Sequence, residues 1–360
     1  MIDLLIFAGA LSILVLIHEF GHYLAAVKTG VWVEEFGLGL PPRAWGKKIG
    51  KTIFSLNWLP IGGFCKMYGE DPTSEVKRDG EGAKPEEAFV NKKPWQKMII
   101  ILGGVTMNLV LAVAIFTLVY AITGLPVTTD RVKVLEVNKN SPAETAGIKE
   151  GMWIYKVNEV VVAQADELTK EVAKYKGETV KLTIRDEMGE RVIPIEVREN
   201  PPAGEGSMGV MISNVEVQPM KWWQLPRGVA EGFKEAYFWG SRITEGLIKT
   251  ISQMYTERII PSDVAGPIGM FQATSTIKRT QGLLGVMHFF GLVSVNLAVV
   301  NILPFPALDG GRLLFVAYEM VFKKRANEKV EAMVNNIGMM ILLLLVLLIT
   351  VGDVARLVRQ

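Results

Sequence analysis

Residues 18–22 read His18-Glu19-Phe20-Gly21-His22, and they lie inside the apolar stretch Leu4–Val27. Within that stretch His18, Glu19 and His22 are the only side chains that carry charge near neutral pH. A run of that length is a candidate for a membrane-spanning helix. Ionisable groups inside such a helix are costly and mark function by default. On a helix, positions i and i+4 share a face, so both imidazoles point the same way. His-Glu-x-x-His at that spacing reads as two metal ligands with the intervening glutamate as general base.

Composition sets the frame around this helix. The chain has 360 residues, 49% hydrophobic and 21% charged, with a net charge of +2. Its mean hydropathy is +0.28. That mixture points to membrane spans plus a polar domain, and the near-zero charge gives no sign of a nucleic-acid partner. Cys65 is the single cysteine, which excludes an intrachain disulfide and a cysteine-based zinc cluster. It reads as a packing residue.

Three further charge-free runs, Met98–Thr123, Gly282–Pro304 and Ala332–Val351, approach the ~20 residues that a bilayer requires. The first span has no basic flank and no small-residue cleavage site, so it reads as an anchor rather than a removed signal. Lys28–Lys97 holds twelve Lys or Arg beside nine acidic residues, and Arg312, Lys323, Lys324, Arg325 and Lys329 follow the third span. The positive-inside rule places both connections in the cytoplasm and the N-terminus outside. Leu4–Ile17 is fourteen residues, roughly 21 Å of helix. His18 is therefore expected in the cytoplasmic half of a ~30 Å core.

A catalytic zinc site normally has three protein ligands and one open position. The segment Asn301-Ile-Leu-Pro304-Phe-Pro306-Ala-Leu308-Asp309-Gly310-Gly311 follows the third span. Asp309 is an isolated carboxylate in apolar surroundings, on the side and at the depth of the histidines. The prolines and glycines there predict irregular backbone, which at membrane depth is tolerated only against protein or a water-filled cavity. Asp309 is the expected third ligand.

These residues carry a resemblance over nearly the whole chain, in order. His18, Glu19 and His22, with Asn301, Pro304, Pro306, Leu308 and Asp309, make the sequence similar to the site-2 protease family of intramembrane zinc metalloproteases, in its bacterial RseP/RasP branch. Phe54–Phe64 and Gly266-Pro-Ile-Gly-Met270 also resemble family segments. Gram-negative members carry two tandem PDZ domains, whereas this chain has room for one. The implied fold is a polytopic α-helical membrane protein: four transmembrane helices, a membrane-associated β-hairpin and one extracytoplasmic PDZ-like α+β domain.

Laid out along the chain, this gives a first span at 1–28 and a cytoplasmic loop at 29–97, with a hairpin near 52–67. A second span occupies 98–123 and a PDZ-like domain 126–200. A linker with an amphipathic helix covers 207–281, and a third span 282–304. The Leu-Asp-Gly motif and a cytoplasmic loop lie at 305–331, before a fourth span at 332–352. Strict alternation at Val180, Leu182 and Ile184, a turn at Asp186–Gly189 and a return through Val192–Val197 predict a strand pair. Ser141–Gly151 is similar to a bacterial PDZ segment, with Met152 where aspartate is usual. Such a domain binds extended peptide tails by strand addition, or it serves only as a spacer that blocks large partners. Asn200–Gly206 reads as a linker, and Trp222 and Trp223 as interfacial residues. Val229, Phe233, Tyr237, Leu247, Ile251 and Met254 fall at helical spacing, either on a membrane-surface helix or on an ordinary packing helix.

The resemblance implies one zinc ion on His18, His22 and Asp309, with Glu19 catalytic and single-span membrane proteins as substrates. An anti-sigma factor or a remnant signal peptide would fit, in regulated intramembrane proteolysis at the bacterial cytoplasmic (inner) membrane. It also implies that Asn296, Asn301, Pro304 and Pro306 bind the substrate, with the two amides holding its backbone or the oxyanion. A helix–helix hydrogen bond is the other reading of Asn301. The apolar hairpin at Thr52–Met67 would offer an edge strand to an unwound substrate. His288 reads as a packed or interhelical hydrogen-bonding residue, and Lys323-Lys-Arg325 as a topology signal. A non-enzymatic adaptor and a metal transporter are the rival classes. An intact Glu19 argues against the first, and the lack of further ionisable residues along a path argues against the second.

Overall fold

The computed structural model describes residues 2–70, 84–186, 189–202, 204–256 and 266–359. In chain order the elements are α1 (Ile2–Lys28), β1 (Val33–Ile49), β2 (Thr52–Met67), α2 (Pro94–Thr123), β3 (Leu125–Val137), α3 (Pro142–Thr145), β4 (Trp153–Val157), β5 (Val160–Val161), α4 (Ala165–Val172), β6 (Thr179–Asp186), β7 (Gly189–Glu196) and β8 (Val210–Gln218). Helices α5 (Leu225–Thr256), α6 (Pro267–Asn301), α7 (Asp309–Phe322) and α8 (Glu328–Arg359) complete the chain. Two compact units result: Met1–Tyr120 with Trp223–Gln360, and Ala121–Trp222.

In the first unit, α1, α2, α6 and most of α8 are each long and apolar enough to cross a membrane. Mean hydropathy in their best windows is 2.1 to 2.7, and exposed leucines and isoleucines cover α8. Such surface is stable against lipid rather than water. Gly282, at φ 70°, interrupts α6 and separates Pro267–Gln281 from the apolar half. The N-terminus of α6, at the Gly-Pro-Ile-Gly segment, is capped from α8, where Asp353 accepts from Gly269 N–H at 2.8 Å.

The hairpin is larger than the sequence suggests. Thr52–Met67 is not a self-contained hairpin but the second arm of one, paired with Val33–Ile49. The sheet curls over itself, so that Phe36 pairs with both Phe54 and Cys65, and Leu38 with both Leu56 and Gly63. Val33, Phe36, Cys65 and Met67 are buried against Ala26 of α1 and Ile100 of α2, with Phe20, Tyr23 and Phe54 around them. Cys65 is a packing residue here, as expected. Much of the first arm, Pro41–Ile49, is exposed, rich in Pro and Lys, and lacks an alternating pattern. That is why a reading of the sequence by strand period misses it. The side chains of Pro60 and Ile61, and residues 71–83 of the long connection, lie outside the described set.

Helix α5 packs one stripe on the spans. Ala236 is buried with Ala112, Phe116 and Val295, and Glu235 bonds His288 Nε2 at 2.6 Å. His288 is therefore an interhelical hydrogen-bonding residue. Val229, Phe233 and Tyr237 are exposed along the edge of that stripe. The side chains of Ile251 and Met254 lie outside the described set.

The second unit is a sheet in the order β7-β6-β4-β3-β8, with β5 beside β4. Val180, Leu182 and Ile184 are fully buried, with Val132, Val134, Ile154, Leu168 and Ile195 in the same core. The predicted β6–β7 pair forms with Asp186 opposite Gly189, around residues 187–188 that are not described. Ser141 Oγ accepts from Glu144 N–H at 3.1 Å and so caps α3. β8 departs from the expected boundaries: it pairs with β3 from Leu125–Gln218 to Val137–Val210. Asn200–Gly206 (residue 203 undescribed) is thus a loop within the unit rather than the link that ends it.

Candidate metal centre

Helix α1 buries His18 and His22, each 8% exposed, on the face that meets α2. The two helices approach closely because both are bare at the crossing: a Cβ on Gly21 would stand 2.2 Å from the Gly103 carbonyl oxygen. Backbone contact of this kind is what small residues at helix crossings permit in membranes. Helix α7 begins at Asp309, which follows the turn that Pro304 and Pro306 impose. Gly310 and Gly311 lie directly against backbone atoms of Ile302, Leu303 and Phe305, which seats the start of α7 under the end of α6.

These elements bring three side chains to one point. Asp309 Oδ2 is 3.1 Å from His18 Nε2 and 3.3 Å from His22 Nε2. The two Nε2 atoms are 3.2 Å apart. Among the described residues this is the group of three His, Cys, Asp or Glu side chains able to share an ion. Glu19, Asn108, Asn301 and Arg312 line the same cavity, of about 460 Å³.

Chemistry supports a cation at that point. His22 Nδ1–H donates to the Ile100 carbonyl at 2.9 Å, which leaves its Nε2 as a lone pair. His18 Nδ1 lies 3.2 Å from the Asn108 amide, whose Oδ1 is otherwise buried without a partner. With that oxygen turned to His18 Nδ1–H, the second imidazole also presents a lone pair. Second-shell bonds of this type set the tautomer of metal-binding histidines. Two lone pairs and a carboxylate oxygen that lacks a hydrogen-bond donor then converge within about 3 Å. Ligand atoms 2.0–2.1 Å from a tetrahedral zinc stand about 3.3 Å apart, which is the size of this triangle. The residues fit zinc.

The other expected residues separate. Asn301 Nδ2 lies 3.3 Å from His18 Nε2 and belongs to the cavity. Asn296 is exposed and away from it. Five residues at 100° each put the two amides about 140° apart around the helix, so they cannot serve one site. Pro304 and Pro306 line a different, apolar cavity of about 480 Å³ with Leu314, Tyr318 and Val330. Both precede the start of α7 at Asp309. Sequence reading missed Asn108, which is fully buried. A lone amide in an apolar run, four residues after the glycine pair Gly103-Gly104, is the signal that marks it.

Comparison with known proteins agrees with this geometry. Residues 6–345 match Peptidase family M50. The chain is 33% identical over 348 residues, 96% of each sequence, to a Clostridium perfringens protein provisionally named a zinc metalloprotease. It is 30% identical over 349 residues to a similarly named protein of Clostridium acetobutylicum, covering 96% of this chain and 95% of that one. It is 28% identical over 415 aligned positions, 95% of each, to zinc metalloprotease RasP of Geobacillus kaustophilus. The chain belongs to Peptidase family M50, the site-2 protease family, and is a multi-pass membrane zinc metalloprotease.

Proposed function

We propose that His18, His22 and Asp309 hold the zinc ion, that Glu19 is the general base, and that the protein cleaves single-span membrane proteins within their transmembrane segments. The observation that carries this reading is the 3.1–3.3 Å triangle of ligand atoms beside Glu19 in one cavity. Zinc bound there supplies a Lewis acid that polarises the scissile carbonyl and lowers the pKa of water. Glu19 takes a proton from the attacking water as its oxygen bonds to the carbonyl carbon. The same carboxyl then delivers that proton to the amine as the C–N bond breaks. Asn301, next to His18, donates its amide N–H to the substrate carbonyl as charge develops there.

A helical peptide bond is shielded by its own hydrogen bond, so the substrate must unwind before it is cut. The arm Gly63–Lys66 pairs with Glu35–Leu38 on one side. Phe64, Cys65 and Met67 of the same arm line the metal cavity. A free strand edge recruits an extended chain, and the proposal is that the unwound substrate pairs there. The unit Ala121–Trp222 is read as the PDZ-like domain. β8, at one end of its strand order, leaves an edge suited to a peptide tail. Basic residues flanking the spans support an N-terminus and PDZ-like domain outside, with the metal in the cytoplasmic half of a bacterial inner membrane. Substrates first trimmed outside, such as an anti-sigma factor or a remnant signal peptide, suit regulated proteolysis of this kind.

Purified protein tests the reading. Zinc content and cleavage of a single-span substrate are compared in wild type and Glu19→Gln. Retained zinc with cleavage reduced roughly 10²–10⁴-fold is expected for a lost general base. Undiminished cleavage in the variant removes Glu19 from the reaction, and a zinc-free wild type that still cleaves removes the metal.

A further inference from the structure

Arg312 lies three residues past Asp309, one turn along α7 and on the same helix face. Its guanidinium donates to Glu70 Oε1, and both side chains line the cavity that holds His18, His22 and Asp309. Glu70 is itself fixed. Its Oε2 accepts from Met67 N–H at 3.2 Å, and its own N–H donates to the Met67 carbonyl at 3.3 Å. Met67 ends β2 and is buried with Ala26 of α1 and Ile100 of α2. Nearby, Tyr68 N–H donates to the Trp32 carbonyl at 2.9 Å.

These contacts form a closed path. The histidines ride on α1, α1 packs on the hairpin, the end of the hairpin holds Glu70, and Glu70 holds the first turn of α7. Without that last link, the start of α7 rests on the glycine contacts to Ile302, Leu303 and Phe305. The Arg312–Glu70 pair adds a side-chain tie one turn from Asp309, on the face of α7 that carries the carboxylate. A second ion pair ties α7 farther along: Lys97 of α2 to Glu319 at 2.8 Å. That pair anchors the helix without touching the ligand end.

We propose that Arg312 is a positioning residue, which acts through Glu70 to hold the Asp309 carboxylate at the two imidazoles. The proposal rests on Asp309 being a zinc ligand. A metal site needs its ligands held to within about 0.5 Å, and partners that orient ligands typically account for 10–100-fold in metal affinity.

The test measures zinc affinity by competition with a chelating dye, on full-length protein in detergent. The variants are Arg312→Gln, Glu70→Gln, the double variant, Arg312→Lys, Lys97→Gln and Asp309→Asn. Arg312→Gln and Glu70→Gln are each expected to weaken zinc 10–100-fold. The double variant should be no weaker than either single one, because both remove one link. Arg312→Lys should recover part of the loss. Cleavage by Arg312→Gln should return at saturating zinc with KM unchanged. Lys97→Gln should lower the melting temperature and leave zinc affinity as in wild type. Unchanged affinity in Arg312→Gln overturns the proposal. So does an equal loss in Lys97→Gln, which would make any anchor of α7 sufficient. Undiminished affinity in Asp309→Asn instead removes the ligand assignment on which the proposal stands, and so separates the two failures.

Discussion

Gly104 of α2 lies directly over the imidazole of His22: a Cβ at that position would stand 2.5 Å from Nε2 and 2.6 Å from Cε1 of His18. No side chain fits there without displacing the metal-facing atoms. Gly104→Ala is therefore expected to abolish zinc retention. The misfit should also destabilise the helix pair by about 1–3 kcal/mol, the usual range for overpacking. Zinc content per chain reads the first effect, and thermal unfolding in detergent reads the second. A Gly104→Ala protein with full zinc content would mean that α1 and α2 do not meet as described.

The Asn108 amide makes a narrower prediction. It faces His18 Nδ1, and Ser294 Oγ–H donates to its backbone carbonyl at 2.7 Å. Asn108→Leu keeps the branched shape of the side chain and removes the partner that sets the His18 tautomer. Zinc affinity should fall 10–100-fold, as for other second-shell losses. Asn108→Asp offers an acceptor in the same place and should bind zinc more tightly than Asn108→Leu. Equal affinities in the two variants would assign Asn108 to helix packing alone.

The contrast between Asp309 and Asn108 shows what the sequence makes legible. Asp309 stands out because a carboxylate amid apolar residues has few uses, and its neighbouring prolines and glycines announce irregular backbone. Asn108 sits in a regular helix, where an amide satisfies itself in many ways. The four spans follow from hydropathy, which is additive along the chain. The curl of β1 over β2 depends instead on which residues meet across the sheet, and Glu34, Pro41, Pro42 and Lys47 hide β1 from any alternating pattern. β8 was lost to a boundary. A Pro/Gly-rich loop at Asn200–Gly206 looks like the end of a domain until Val210–Gln218 is seen to pair with β3. Asn296 is exposed and about 140° around the helix from Asn301, a relation that a resemblance between motifs does not carry.

Acid should loosen the hairpin through Glu35. Burial pushes its carboxyl up, but the Arg43 guanidinium, which donates Nε–H to Oε1 at 3.0 Å, outweighs this and holds it below its ordinary value. A group held lower in the folded state contributes stability above its unfolded pKa, and that contribution disappears as pH falls through the folded value. Amide exchange at Phe36–Leu38 should therefore quicken, relative to intrinsic rates, as pH is lowered below about 4.3, the ordinary glutamate value. Arg43→Gln removes the strongest of the downward causes and leaves those of Ser55 and Lys66 against burial, so that the acid-induced quickening should shrink or vanish. The same pH response in both proteins would detach Glu35 from the stability of the hairpin.

Among the described residues, no strand pairs with the other side of the Gly63–Lys66 arm. A Cβ on Gly63 would lie 3.8 Å from Cγ of Glu19, so a chain paired along this edge passes within reach of the Glu19 carboxylate. Pairing demands extended backbone, and a transmembrane helix resists extension in proportion to its helix propensity. Each Gly→Ala change near the cut stabilises the helix by about 1 kcal/mol. Two such changes should therefore slow cleavage by about 30-fold if unwinding precedes the chemical step. The loss should appear in kcat/KM and be relieved by a single Pro placed one turn away, which removes a helical hydrogen bond. Competition with an uncleavable extended peptide should mimic it. Substrates whose cleavage ignores helix propensity on both counts would mean that the edge at Gly63–Lys66 is not where the chain is held.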